Sequence, residues 1–200
     1  MKILIAGSTG AIGLPLVRSL RADRHSIVGL VHSEHSASAL AEAGAESIIA
    51  DTLDAALVHD AIRRTRPEVI INEITALPKH YTPEEMRKAA ERDRNTRLQA
   101  NANLLAGARA LGVRRYILQS SAFWYAPGPG LADESTPFAI DASPSVAAGA
   151  RTYATLEASA TAVFPNSQPL CSAMDSSTVQ GPGTRKKATW ESRFGKGRRQ

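Results

Sequence analysis

Along this chain, short continuous apolar runs alternate with longer segments in which apolar residues return every three or four positions. The first kind of run reads as a strand covered on both faces and the second as an amphipathic helix, so the alternation predicts βαβ units around a parallel sheet. Strands are expected at Lys2–Ala6, Ser26–Val31, Glu46–Ala50, Glu68–Asn72 and Arg115–Gln119, with a weaker one around Pro169–Met174. Helices are expected at Ala11–Arg21, Ser36–Ala43 and Asp54–Arg64, then from about Glu84 to Leu111, and at Pro144–Val163. The fold class is therefore α/β with a doubly wound, mainly parallel sheet, and a ligand should lie at the C-terminal ends of its strands.

Polar residues punctuate the pattern. Ser36 and Asp54 are suited to cap helix N-termini, while Gly44 and Gly112 are suited to stop helices. In the long helix Leu98, Ala102, Leu105 and Ala108 form an apolar stripe, and Asn95 falls on that stripe one turn earlier. An inward-facing amide needs a partner: Asn95 either bonds neighbouring backbone or points at a ligand.

The turn between the first strand and first helix reads Gly7-Ser8-Thr9-Gly10-Ala11-Ile12-Gly13. One glycine permits a tight turn, one lets backbone N–H groups approach a pyrophosphate, and one lets the helix pack closely on the strand. Glycines alone are weak as a signal. Here a strand precedes them, a helix follows, and a second strand comes about 20 residues on, which is the context of a dinucleotide site.

The spacing GxxGxxG, with MKILIAGSTGAIGLPLVRSL around it, resembles the N-terminus of the NAD-dependent epimerase/dehydratase family, the extended or atypical short-chain dehydrogenases/reductases. Further segments match in order: Asp51 in IIADTLD, PEVIINEITALP, Asn95 followed by NLLAGARALGV, RRYILQSSAFWYAPG, DESTPF and GPGT. The likeness is good over 1–164 and poor over 165–184. It implies a Rossmann-type NAD(P)-binding domain in which Gly7, Thr9, Gly10, Ala11, Ile12 and Gly13 hold the pyrophosphate. It also implies that Asp51 and Thr52 lie by the adenine, Ile74 and Thr75 by the ribose and nicotinamide, and Asn95 behind them. Independently of the resemblance, an aspartate after a buried strand commonly starts a turn or caps a helix.

NAD specificity usually rests on a carboxylate at the end of the second strand, which would repel the 2′-phosphate of NADP. Val31 stands where that acid would be, followed by His32, Ser33 and Glu34. His32 and Ser33 can bond a phosphate, although no arginine stands there to pair with it. The cofactor is NADP or NAD, with the balance leaning to NADP.

The resemblance further implies a catalytic serine at Ser121 and a tyrosine general acid/base with a lysine four residues later. A phenol with a pKa near 10 needs a cation to stabilise its phenolate at neutral pH. Tyr153 is the only tyrosine in the expected last helix, but four residues on stands Glu157, whose charge acts in the opposite sense. Arg151, two residues away, faces elsewhere on the helix. Either Tyr153 is structural within a variant helix, the favoured reading, or the chemistry uses other groups. Ser121 could also simply end a strand, and Tyr125 resembles a structural position of the family. Phe123, Trp124 and Tyr125 could wall a pocket, though aromatics more often pack in a core. Five scattered histidines and one cysteine show no metal-ligand spacing.

Composition changes this picture at one end. Seven of the 24 Lys+Arg and one of the 19 Asp+Glu lie from residue 185 onward, which leaves 17 against 18 before it. The basic character thus belongs to the tail, the body has no bulk basic character, and a nucleic-acid partner is not expected. The expected division is a dinucleotide-binding domain at 1–164, a degenerate last strand and loop at 165–184, and a basic, disordered tail at 185–200. Family members usually continue past GPGT into a small substrate-binding portion, so the resemblance implies a C-terminally truncated member. With no long apolar run and one cysteine, Cys171, a cytoplasmic protein is expected, off the membrane and bound to a small-molecule substrate. A homodimer is left open. The function expected is that of an NAD(P)-dependent epimerase/dehydratase or reductase moving hydride to or from a small carbonyl or sugar-like substrate. The alternative is a non-catalytic NAD(P)-binding regulator or an inactive truncated member.

Overall fold

The structure is a computed structural model and describes residues 1–128, 132–133, 135–165 and 170–171. The apolar runs form β1 (Lys2–Ala6), β2 (Ser26–Val31), β3 (Glu46–Ile49), β4 (Val69–Asn72), β5 (Arg115–Ser120) and β6 (Leu170–Cys171). They join in one sheet of order β3-β2-β1-β4-β5-β6, every pairing parallel. Ile3 is in register with Ile27 on one side and Val69 on the other. The helices are α1 (Gly13–Ala22), α2 (Glu34–Glu42), α3 (Ala55–Thr65), α4 (Pro83–Ala110) and α5 (Pro144–Val163), with a 3-10 turn at Ala122–Trp124. This is a Rossmann-type doubly wound sheet. The proposed 185–200 tail lies outside the described residues.

Alternate residues of each strand enter opposite faces of the sheet, and the core divides accordingly. Ile3, Ile5, Ile27, Val69 and Ile71 pack with Val17 of α1 and Leu40 of α2. Leu4, Val28, Leu30 and Ile70 pack with Val58 and Ile62 of α3, Leu104 of α4 and Leu156 of α5. Both faces are therefore covered, which is why these strands read as unbroken apolar runs.

Asp54 caps α3, its carboxylate accepting from the Ala56 and Leu57 amides. Gly44 and Gly112 follow α2 and α4 with φ of 74° and 68°, a conformation open to glycine. Two helix starts differ from expectation by two residues. The cap of α2 is Ser33, whose hydroxyl accepts from the Ser36 amide at 3.2 Å, so that helix starts earlier than Ser36. Helix α1 starts at Gly13 because the preceding glycine turn occupies Gly7 to Ile12.

The inward face of α4 also differs. Asn95 and Ala102 are exposed, whereas Arg97, Ala100, Asn101, Leu104 and Ala108 are buried. The buried stripe thus carries polar residues that pattern alone assigns to the outside. They are tolerated because they are bonded. The Tyr116 hydroxyl donates to Asn101 Oδ1 at 2.8 Å and accepts from Asn72 Nδ2 at 3.0 Å. Asn101 Nδ2 donates to Ser159 Oγ at 3.0 Å, joining β4, β5, α4 and α5 through one polar cluster. Burial accordingly holds the Tyr116 phenol far above its usual range. Replacing Tyr116 by Phe leaves part of this cluster unpaired and should cost about 1–3 kcal/mol. Chemical denaturation measures the loss; an unchanged midpoint would show that the cluster adds nothing net.

Candidate functional site

Because α1 packs on one face of the sheet and α4 on the other, the connections leaving the neighbouring strands β1 and β4 diverge. A crevice opens between them at the C-terminal ends of the strands, the place where doubly wound sheets take ligands.

Its floor is the turn from β1 to α1. Gly7 has φ 82°, and a Cβ there would lie 2.5 Å from the Glu73 carbonyl oxygen at the end of β4. A Cβ on Gly13 would lie 2.2 Å from the Gly7 carbonyl oxygen. These two glycines are thus demanded by backbone packing. Gly10 is less crowded: it is exposed, and a Cβ there would meet Gly7 O at 3.3 Å, a tight contact that a shift of a few tenths of an ångström would relieve. Ala11 and Ile12 are exposed beside it and Thr9 is half-buried. Helix α1 has no side-chain cap and no acidic residue in its first turn, which leaves its positive end open to an anion. Beneath the turn, Ser8 is fully buried, its hydroxyl unpartnered, in a space that glycine at Gly29 keeps clear. Neither Ser8 nor Gly29 stands out by spacing.

At one end of the crevice, His32 is exposed after β2, while the Ser33 hydroxyl is engaged in capping α2. Asp51 is exposed and accepts from the Leu53 amide at 2.9 Å, the local turn common for an aspartate at this position. The Thr52 carbonyl accepts from Asn103 Nδ2 at 3.0 Å, which ties this loop to α4. Asn95 does not lie on the buried face. Together with Leu53, Leu98 and Gln99 it lines an open groove of about 880 Å³.

The end of β4 brings in a group that motif reading missed. The Ile74 amide donates to Asn72 Oδ1 at 3.1 Å and the Ala76 amide to Asp93 Oδ1 at 2.6 Å, so this loop is braced from both sides. Ile74 is buried and Thr75 exposed. Between them and the strand, Glu73 has a buried carboxylate oxygen without a partner. Burial raises its pKa to about 7, against the opposing pull of the Arg97 charge. Its only sequence signal is an acid directly following an apolar strand.

After β5, Ser120 is buried and donates from its hydroxyl to Glu157 Oε1, while Ser121 is half-buried and leads into the 3-10 turn. Trp124 stacks on Tyr153 with ring centroids 6.3 Å apart, and glycine at Gly149 makes room for its indole. Tyr153 is buried and its phenol is pushed above the usual range by that burial, with Arg97 acting to lower it. Tyr125 packs against Phe138 at 5.2 Å, on the opposite strand of a small antiparallel bridge.

The strand order, the tight glycine turn and the helix that follows it define a doubly wound α/β protein of the Rossmann type. The chain belongs to the NAD dependent epimerase/dehydratase family, which it matches over residues 3–180. It is 38% identical over 186 residues to a 3-diazoavenalumate denitrifying reductase from Streptomyces, an alignment covering 92% of this chain and 58% of that protein. Its fold is similar to that of Thermus thermophilus UDP-glucose 4-epimerase in complex with NAD, with a TM-score of 0.66 and 21% identity over 86% of this chain and 54% of that one. Thermotoga maritima UDP-glucose 4-epimerase with UDP-glucose is similar too, with a TM-score of 0.63 and 20% identity over 86% and 55%. The chain therefore spans little more than half the length of these proteins. Among its described residues no helix is long and apolar enough to cross a membrane.

Glu73 makes a pH prediction. Its folded pKa of about 7 lies above the ordinary 4.5, so its contribution is most favourable below pH 4.5 and is lost as the pH rises through 7. Glu73→Gln should therefore leave stability near pH 4.5 little changed and raise it at pH 8 by up to about 3 kcal/mol. Unfolding curves of both proteins across that range measure the difference; a difference independent of pH would contradict the assignment.

Proposed function

We propose that this protein binds a nicotinamide dinucleotide across the C-terminal ends of β1 and β4 and uses it to reduce, or transiently oxidise, a small carbonyl or sugar-like compound. The observation that carries the reading is the start of α1, which follows the exposed Gly10 and has neither a side-chain cap nor an acidic residue in its first turn, so that its first amides stand open to a pyrophosphate. Gly7, Thr9, Gly10, Ala11, Ile12 and Gly13 would hold that group, with Asp51 and Thr52 toward the adenine and Ile74 and Thr75 toward the ribose and nicotinamide. The bound cofactor would supply hydride chemistry. The chain's own residues would orient the substrate, with Ser121 and Tyr153 beside the reacting oxygen.

A reductase is favoured over an epimerase because the relative at 38% identity is named a reductase, whereas the epimerases are similar at 20–21%. The absence of a carboxylate where β2 ends at Val31, with exposed His32 next to it, favours NADP over NAD. The NAD in the Thermus structure is a property of that enzyme. The reading also extends to a cytoplasmic setting and leaves room for a homodimer.

A second reading, a nicotinamide-binding regulator or inactive member without turnover, is favoured by Glu157. It stands where a lysine is expected, and it is engaged with Ser120.

Thermal unfolding with and without NADPH or NADH tests the cofactor site. At 100 times its Kd either ligand should add about 2.7 kcal/mol of stability, and the wild type should respond more to NADPH. Gly10→Ala should unfold close to the wild type without ligand but lose the ligand response. No response of the wild type to either nucleotide, or an undiminished response of Gly10→Ala, would overturn the site.

A further inference from the structure

We propose that Arg97, reaching across from α4, supplies the cation that Tyr153 needs to act as a proton donor, in place of the lysine that α5 lacks. The inference rests on the reductase reading above. Arg97 Cζ lies 5.3 Å from the centroid of the Tyr153 ring, within the range of a cation–π contact. Its side chain is only 7% exposed, so the charge is poorly screened.

The guanidinium is held in place. Its Nε donates to Asp93 Oδ2 at 2.8 Å and its Nη1 to Gln119 Oε1 at 3.5 Å. Asp93 is itself fixed by the Ala76 amide, so the cation is built into the brace between α4 and the loop after β4. On the β4–β5 side Arg97 borders a cavity of about 10 Å³, lined also by Asn72, Ile74 and Leu118, which is about the room one water needs.

The charged groups around the phenol come from three elements. From α4, Arg97 lowers its pKa and Asp93, with a smaller effect, raises it. At the end of β4, Glu73 faces Arg97 and is held largely protonated below neutrality, so it draws on the guanidinium less than a free carboxylate would. On α5 itself, Glu157 is directed to Ser120 and Arg151 to the Ile140 carbonyl. The indole N–H of Trp124 also lowers the phenol pKa. Among the described residues, Arg97 is thus the cation whose charge opposes the burial.

In the reductive direction, hydride adds to the carbonyl carbon, the carbonyl π pair moves to oxygen, and that oxygen takes the Tyr153 proton. The phenolate left behind faces a guanidinium that stays charged across the whole working pH range, and solvent later returns the proton. An arginine can steady the phenolate but cannot relay a proton as a lysine can. The pH dependence of turnover should therefore carry no ionisation of the cation.

The test replaces Tyr153 by 3,5-difluorotyrosine in the full chain, which brings the phenol's titration into a range where the protein stays folded, and follows it by 19F NMR. Arg97→Gln should raise the midpoint by about one to three units, as expected for losing an opposite charge within 4–6 Å. Arg97→Lys should restore much of that shift. A midpoint unmoved in a folded Arg97→Gln protein would overturn the proposal and leave Arg97 as a loop brace. Should that variant fail to fold, Asp93→Asn keeps Arg97 and removes its counter-charge, and the midpoint should fall; a midpoint that stays or rises is equally contradictory. No cofactor or substrate is present in this titration, so its failure is distinct from failure of the reductase reading, which the nucleotide-dependent unfolding tests.

Discussion

Contact of backbone on backbone, between the β1–α1 turn and the end of β4, is the constraint from which the rest of the structure follows. Gly7 and Gly13 have no room for a Cβ, and their neighbours there are main-chain atoms that cannot swing aside. That proximity sets Gly7 against Glu73 and Ile74 and draws the start of α1, at Gly13, down onto Gly7 and Ser8. Helices packed on both faces then leave the C-terminal edge of the sheet as the accessible edge between β1 and β4.

A second layer keeps that edge rigid. Asn72, Asn101, Tyr116 and Ser159 tie four elements together through buried hydrogen bonds, and Asn72 also accepts from the Ile74 amide that begins the site loop. Asp93 and Arg97 brace the next residues of the same loop. Buried polar groups of this kind cost stability unless every member is paired, and their return is a single well-defined geometry. One face of α4 thus both supports the loop and carries the charge proposed to act on Tyr153. This makes the glutamate at position 157 intelligible: once the cation comes from α4, the α5 position is free to bond Ser120.

Most of the fold was legible because its strands are buried on both faces and read as plain apolar runs. The β1–α1 glycines were legible for the same reason that they are needed, since few residue types allow such close approach. Helix α4 was misread where its buried face is polar. Periodicity places Arg97 and Asn101 outside, and it cannot see the Asp93 carboxylate or the Tyr116 hydroxyl that make their burial affordable. Asn95 was chosen in their stead and is exposed. The Ser33 hydroxyl also caps α2, and that bond depends on a local backbone turn which composition does not encode. Glu73 and Ser8 were missed because a lone acid and a lone serine have no spacing to recognise.

The measurement that bears most directly on this account is a crystal structure of the chain with NADPH. The pyrophosphate should lie against the amides of Ala11 to Gly13, with the adenine toward Asp51 and the nicotinamide toward Ile74 and Thr75. A nucleotide seated instead in the open groove beside Asn95 and Gln99, with the α1 N-terminus left bare, would contradict it.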